Sequence, residues 1–275
     1  MDSLDSLLSK FLDNPYPLWN SSLVNPLVAN KKTEIAQNYL TLREYSTSGI
    51  WTGLEGADEK IECLLGETYL EYPSRYLNEF YRNNDLDLLS VNQYDEIDVV
   101  AQIKSALNQL FDVPGCGKTV SQLVHMIQVL RQPAPEYDVS YSHPKIPFTI
   151  FVSVGKKNSD LDGLRLAESI LHEAMHLQLS LVEEHIPLII DNTQVYYSPW
   201  REEMRPLRGV LHAIFVFRAI QQWYLHLQDG SYAFEITDFA SWRIENIQKD
   251  FSMIKEFYRV AGLTSAGAVL SEKLL

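Results

Sequence analysis

The sequence predicts a mostly α protein: a buried helical core carries the segment His172-Glu173-Ala174-Met175-His176 on a helix, and a minor β element lies around residues 146–154. Three observations lead there. Apolar residues recur at spacings of three and four over Val99 to Phe111 and Val120 to Leu130, and most of the stretch from Asp2 to about Gln132 reads this way. Two longer periodic segments follow, from about Leu161 to Glu183 and from Pro206 to about Gln228. Ahead of them lies the best strand in the chain, His143 to Val154, rich in β-branched and aromatic residues.

In chain order, no internal repeat or low-complexity segment interrupts the helical pattern. The cluster Asp112-Val113-Pro114-Gly115 is a turn between two helices. Arg131-Gln132-Pro133-Ala134-Pro135 marks a boundary between an N-terminal helical lobe, 1–132, and a metal-binding catalytic lobe, 133–275, unless the two form one continuous domain. The strand delivers the chain to the metal helix, which Asp160 or Ser159 caps. Pro187 and Pro199 keep the next linker irregular, and Pro206 suits the first turn of the second long helix. A last helix runs from about Phe239 to Val260.

A chain of 275 residues, 46% hydrophobic, buries one large core or two packed lobes. With 23 basic against 36 acidic residues the net charge is −13, which repels a phosphate backbone and argues against nucleic acid as a partner. Two cysteines, Cys63 and Cys116, are too few for a disulfide framework, and no basic-then-apolar signal opens the chain, so the expected location is cytoplasmic. No membrane span is expected either. The longest apolar run, Gly209 to Phe217, is interrupted by His212 and stopped by Arg218.

His172 and His176, four apart, present two imidazoles to one point, and Glu173 can reach the open side of the same metal ion. The bland alternative is a pair of core histidines satisfied by hydrogen bonds. A catalytic site takes a third protein ligand. The metzincin extension would need glycine and histidine where Leu179 and Val182 stand, so that class is excluded. His212, inside the apolar run Val210 to Phe217, is a better candidate, although it also fits as a satisfied core residue. Arg205, Arg208, His212, Val216, Ala219 and Trp223 follow helical spacing and form one stripe, a metal ligand at one end and an anion clamp at the other. That arrangement suits 2-oxoglutarate, whose keto-acid end chelates iron while a guanidinium binds its distal carboxylate. Alternatively Arg205 and Arg208 are solvated, or pair with Glu202 and Glu203.

Ala167-Glu168-Ser169-Ile170-Leu171-His172-Glu173-Ala174-Met175-His176, Pro199-Trp200-Arg201 and Arg205-Pro206-Leu207-Arg208-Gly209-Val210-Leu211-His212 together resemble the HEXXH-motif peptide-modification family. Members are 2-oxoglutarate-dependent non-haem iron hydroxylases found beside ribosomally made precursor peptides. The resemblance is clearest from about His143 to Phe217. It implies Fe(II) at His172 and His176, a third ligand at His212, and anion-binding roles for Arg201 and Arg205, with Arg208 the further candidate on the stripe. Glu203-Met204 stand where such members often read Asp-Pro. The implied activity is O2-dependent hydroxylation, at a β-carbon, of a side chain in a precursor peptide. The rival enzyme is a zinc peptidase or amidase with Glu173 as general base; a third reading is a catalytically silent peptide-binding module.

The remaining motifs are weaker. Pro114-Gly115-Cys116-Gly117-Lys118-Thr119 ends like a phosphate-binding loop but has Asp112 where glycine is required. His125, His143, His185 and His226 have no ligand-spaced partners. Trp223-Tyr224 and Phe215 to Phe217 read as core.

Overall fold

The computed structural model describes residues 3–38, 61–135, 137–144, 146–156, 159–230 and 232–275. The elements are α1 (Leu4–Asp13), α2 (Ser21–Asn38), β1 (Ile61–Leu65), β2 (Thr68–Glu71), α3 (Asn78–Asn83), α4 (Val99–Phe111), α5 (Cys116–Leu123) and β3 (Met126–Arg131). They continue with β4 (Ser140–Ser142), β5 (Thr149–Val154), α6 (Asp160–Glu183), β6 (Val195–Ser198), β7 (Glu203–Pro206), α7 (Leu207–Asp229), α8 (Phe234–Met253) and α9 (Ser265–Leu274). The protein is mostly α. Among the described residues no helix is long and apolar enough to cross a membrane.

The β content exceeds the expected minor element. Five strands form a sheet in the order β1-β2-β3-β5-β4, and β6 and β7 form a separate hairpin. β2, β3 and β5 are parallel, while β1 and β4 close the edges antiparallel. The expected helix over Val120 to Leu130 is therefore corrected: α5 stops at Leu123, Val124 turns to extended backbone, and β3 begins at Met126. The physical reason is double-sided burial. All of β5, and β3 up to Leu130, are buried, and a strand covered on both faces loses the alternation that marks a strand in sequence.

The chain forms two compact units, Met1–Leu27 with Gln178–Leu275, and Val28–Leu177; both crossings fall inside helices, α2 and α6. In the second unit the sheet spans the expected 132/133 boundary, since β3 ends at Arg131 and pairs with β5 from Thr149 onward. Leu77, Phe80, Tyr81, Leu130, Ile146 and Phe151 form one apolar cluster there. Beside it the Tyr81 hydroxyl donates to Gln128 Oε1 (2.8 Å), and Gln128 Nε2 donates to buried Glu71 (2.7 Å). Such a chain of hydrogen bonds keeps the buried polar groups satisfied.

In the first unit α7 is the central helix, with Leu211, Phe215, Ala219, Trp223 and Leu227 among its buried residues. The segment before α2 is held by amide side chains: Leu18 N–H donates to Gln222 Oε1 (3.1 Å), and Leu18 C=O accepts from Gln178 Nε2 (2.6 Å). The expected last helix, Phe239 to Val260, is shorter and earlier. α8 ends at Met253, a short 3-10 turn covers Phe257–Arg259, and α9 follows with Thr264 accepting from Gly267 N–H as its cap.

Candidate metal centre

α6 is long because its apolar residues recur with helical period: Leu164, Ala167, Leu171, Ala174 and Met175 are all buried. His172 and His176, one turn apart, are only half-buried. Their Nε2 atoms lie 3.1 Å apart and their ring centroids 4.8 Å apart, with the rings at 66°. Two nitrogens 3.1 Å apart, each about 2.1 Å from a shared metal ion, subtend about 95° at it, between octahedral and tetrahedral values. The donor set therefore fits a divalent transition metal. The same separation also lets one imidazole donate to the other. Among the described residues, no group of three or more His, Cys, Asp or Glu is arranged to hold a metal ion.

Glu173 is buried, and the sequence alone could not say against what. Its Oε1 accepts from the Ser140 hydroxyl (2.7 Å) and its Oε2 from the Ser142 hydroxyl (2.6 Å). Strand alternation explains the pair: residues two apart on β4 share a face, so Ser140 and Ser142 reach one carboxylate while Tyr141 points elsewhere and donates to Asn84 Oδ1 (2.7 Å). Burial, and then the Glu173 charge, push the Tyr141 phenol above its ordinary value. The carboxylate thus fastens α6 to β4, an edge strand of the sheet.

His212, Arg201, Arg205 and Arg208 belong to the first unit. His212 is buried, and its Nε2 meets Glu183 Oε2 at 2.9 Å. Arg208 donates to the same carboxylate through Nε (2.8 Å) and Nη2 (2.7 Å), and Nη2 also reaches Ser180 Oγ (3.2 Å). Burial tends to raise the Glu183 pKa, but the His212 hydrogen bond and the neighbouring charges outweigh it, so the carboxyl stays below its usual range. Burial pushes His212 down, against the pull of Glu183. Glu183 is the residue that sequence reasoning missed. It sits seven positions after His176 on the same helix, which signals a shared face but not its partner on another element.

The expected arginine stripe is shorter than the spacing suggests. α7 begins at Leu207, so Arg208 and His212 share it while Arg205 lies in β7. There Arg205 Nη1 pairs with Glu203 Oε1 at 2.9 Å, half-exposed on both sides. Arg201 occupies the turn of the β6–β7 hairpin, exposed, beside Glu202 with φ 53°.

His125 stacks on Phe148, with centroids 5.0 Å apart, and is a core residue rather than a ligand; burial, helped by Lys32, pushes its pKa down to about 3. No protein-family profile matches the chain, and no curated protein matches it either.

Proposed function

We propose that the protein is a non-haem Fe(II), 2-oxoglutarate-dependent dioxygenase that hydroxylates a side chain, at a β-carbon, in a ribosomally made precursor peptide. The observation that carries the metal is the convergence of His172 and His176 Nε2 to 3.1 Å. The choice of iron and 2-oxoglutarate rests on the resemblance of the motif blocks around these histidines and Arg201.

Iron with 2-oxoglutarate and O2 supplies the oxidising power to replace a C–H bond by C–OH. The chain's own part is positional. His172 and His176, as neutral imidazoles, offer Nε2 lone pairs, and the fixed spacing of one helical turn keeps them aligned. Glu173 holds that helix against β4 through Ser140 and Ser142, the kind of outer support that fixes ligand orientation. Both Glu173 oxygens already accept hydroxyl protons, which favours support over proton abstraction and so disfavours the zinc peptidase reading. Ion pairs engage Arg205 with Glu203 and Arg208 with Glu183.

Anaerobically purified protein, loaded with Fe(II), should convert 2-oxoglutarate to succinate only when O2 is admitted. Peptide-bond hydrolysis with zinc under nitrogen, lost in Glu173→Gln and indifferent to 2-oxoglutarate, would overturn the proposal in favour of a peptidase.

A further inference from the structure

α8 presents two opposite faces. Ala240, Ile244, Ile247 and Phe251 are buried, which at about 100° per residue puts the line Phe234, Asp238, Trp242, Glu245, Lys249 and Met253 on the far side of the helix. All six are exposed. The apolar members are exposed by 80% (Phe234), 55% (Trp242) and 61% (Met253), although a solvated helix face needs no large apolar residues. Tryptophan near the centre of such a face is what protein interfaces use as an anchor.

The order of residues along the line says what would cover it. Reversed about its midpoint, between residues 243 and 244, the line meets itself with Phe234 opposite Met253, Asp238 opposite Lys249 and Trp242 opposite Glu245. Apolar meets apolar, anion meets cation, and an indole N–H comes beside a carboxylate. No like charges stand directly opposite. A uniformly basic partner helix would meet Lys249, and a uniformly acidic one would meet Asp238 and Glu245.

We propose that this face is a homodimer interface, in which a second copy of the chain packs its α8 antiparallel on the first about a two-fold axis near residues 243 and 244. The contact is isologous, as two-fold symmetry requires, and the two Trp242 rings lie at its centre. One helix pair, about 30 Å long, buries little by the standard of permanent complexes. Each copy also carries a net charge of −13 that opposes association at low salt. The dimer is therefore weak, with a dissociation constant in the micromolar range.

Sedimentation equilibrium of the full chain, from about 1 to about 200 µM in roughly 0.15 M salt, reads this directly. A reversible monomer–dimer equilibrium is expected, weakened at least about tenfold by Trp242→Ala. Asp238→Lys places lysine opposite lysine in its homodimer, and Lys249→Asp places aspartate opposite aspartate, so each variant alone should associate less. Mixing the two variants should restore association, because positions 238 and 249 then face opposite charges across the pair; altered folding within one chain cannot produce that recovery. A monomer at every concentration overturns the proposal, as does a dimer indifferent to Trp242→Ala or a mixture that associates no better than its components.

Discussion

Replacing Glu183 by alanine removes the carboxylate that His212 and Arg208 share. The His212 side chain is only 6% exposed and Glu183 13%, so their contact is a buried, charge-assisted hydrogen bond contributing about 1.5–3 kcal/mol. Arg208, with 47% of its side chain exposed, adds about 0–1 kcal/mol once solvent screening is counted. Glu183→Ala should therefore destabilise the first unit by about 1.5–4 kcal/mol, or roughly 3–15 °C in Tm for a chain of this size. Glu183→Gln keeps an acceptor for His212 and should lose less. Because the chain has two compact units, hydrogen exchange of α7 amides at pH 7 reads the effect locally, where a single global transition could blur it. The Glu183 pKa lies below its unfolded value, so this stabilisation is present above about pH 4.5 and is lost as pH falls through the lower, folded value. If Glu183→Ala protects α7 within about 0.5 kcal/mol of wild type, or if Glu183→Ala and His212→Ala show no coupling in a double-mutant cycle, the cluster does not hold the helix as argued.

Three further outcomes follow from the same structure. His125 has a folded pKa of about 3 against about 6.5 when unfolded, so the unfolded chain gains a proton first; stability is full above pH 6.5 and falls as pH drops toward 3, by up to about 2–3 kcal/mol at pH 4.5. His125→Phe should flatten that part of the urea-midpoint-against-pH curve, and an unchanged slope would refute the buried neutral imidazole. Removing both hydroxyls in Ser140→Ala/Ser142→Ala leaves the Glu173 carboxylate without its two donors and should weaken Fe(II) binding about 10- to 100-fold, measured by anaerobic titration. Gly267→Ala would put a Cβ 2.0 Å from the Leu188 carbonyl oxygen, which must move, so the thermal midpoint should drop by the equivalent of about 1–3 kcal/mol; an unaltered midpoint would show that this approach is slack.

The two long helices were legible because one apolar face each leaves a clear period: the expected 161–183 and 206–228 correspond to Asp160–Glu183 and Leu207–Asp229. β3 was not, since Met126-Ile127-Gln128-Val129-Leu130 is buried throughout and carries no alternation to separate it from a helix. The stripe that included Arg205 failed at a boundary. Strand pairing of Tyr196 with Arg205 competes with helix extension and wins, so helical spacing has no meaning before Leu207. Within the candidate centre, the convergence of His172 and His176 follows from helix geometry alone. The partners of Glu173 and His212 do not, because Ser140 and Ser142 lie about thirty residues upstream and Glu183 on another element, and only tertiary structure supplies such pairings.

The central claim is that His172 and His176 hold one metal ion together. Anaerobic titration of Fe(II) into wild type, His172→Ala and His176→Ala, with bound iron counted after desalting, tests it most directly. Wild type should retain one equivalent and each variant, still folded by circular dichroism, should retain almost none. Equal iron in all three proteins would contradict the claim and leave the two imidazoles as hydrogen-bonded neighbours on α6.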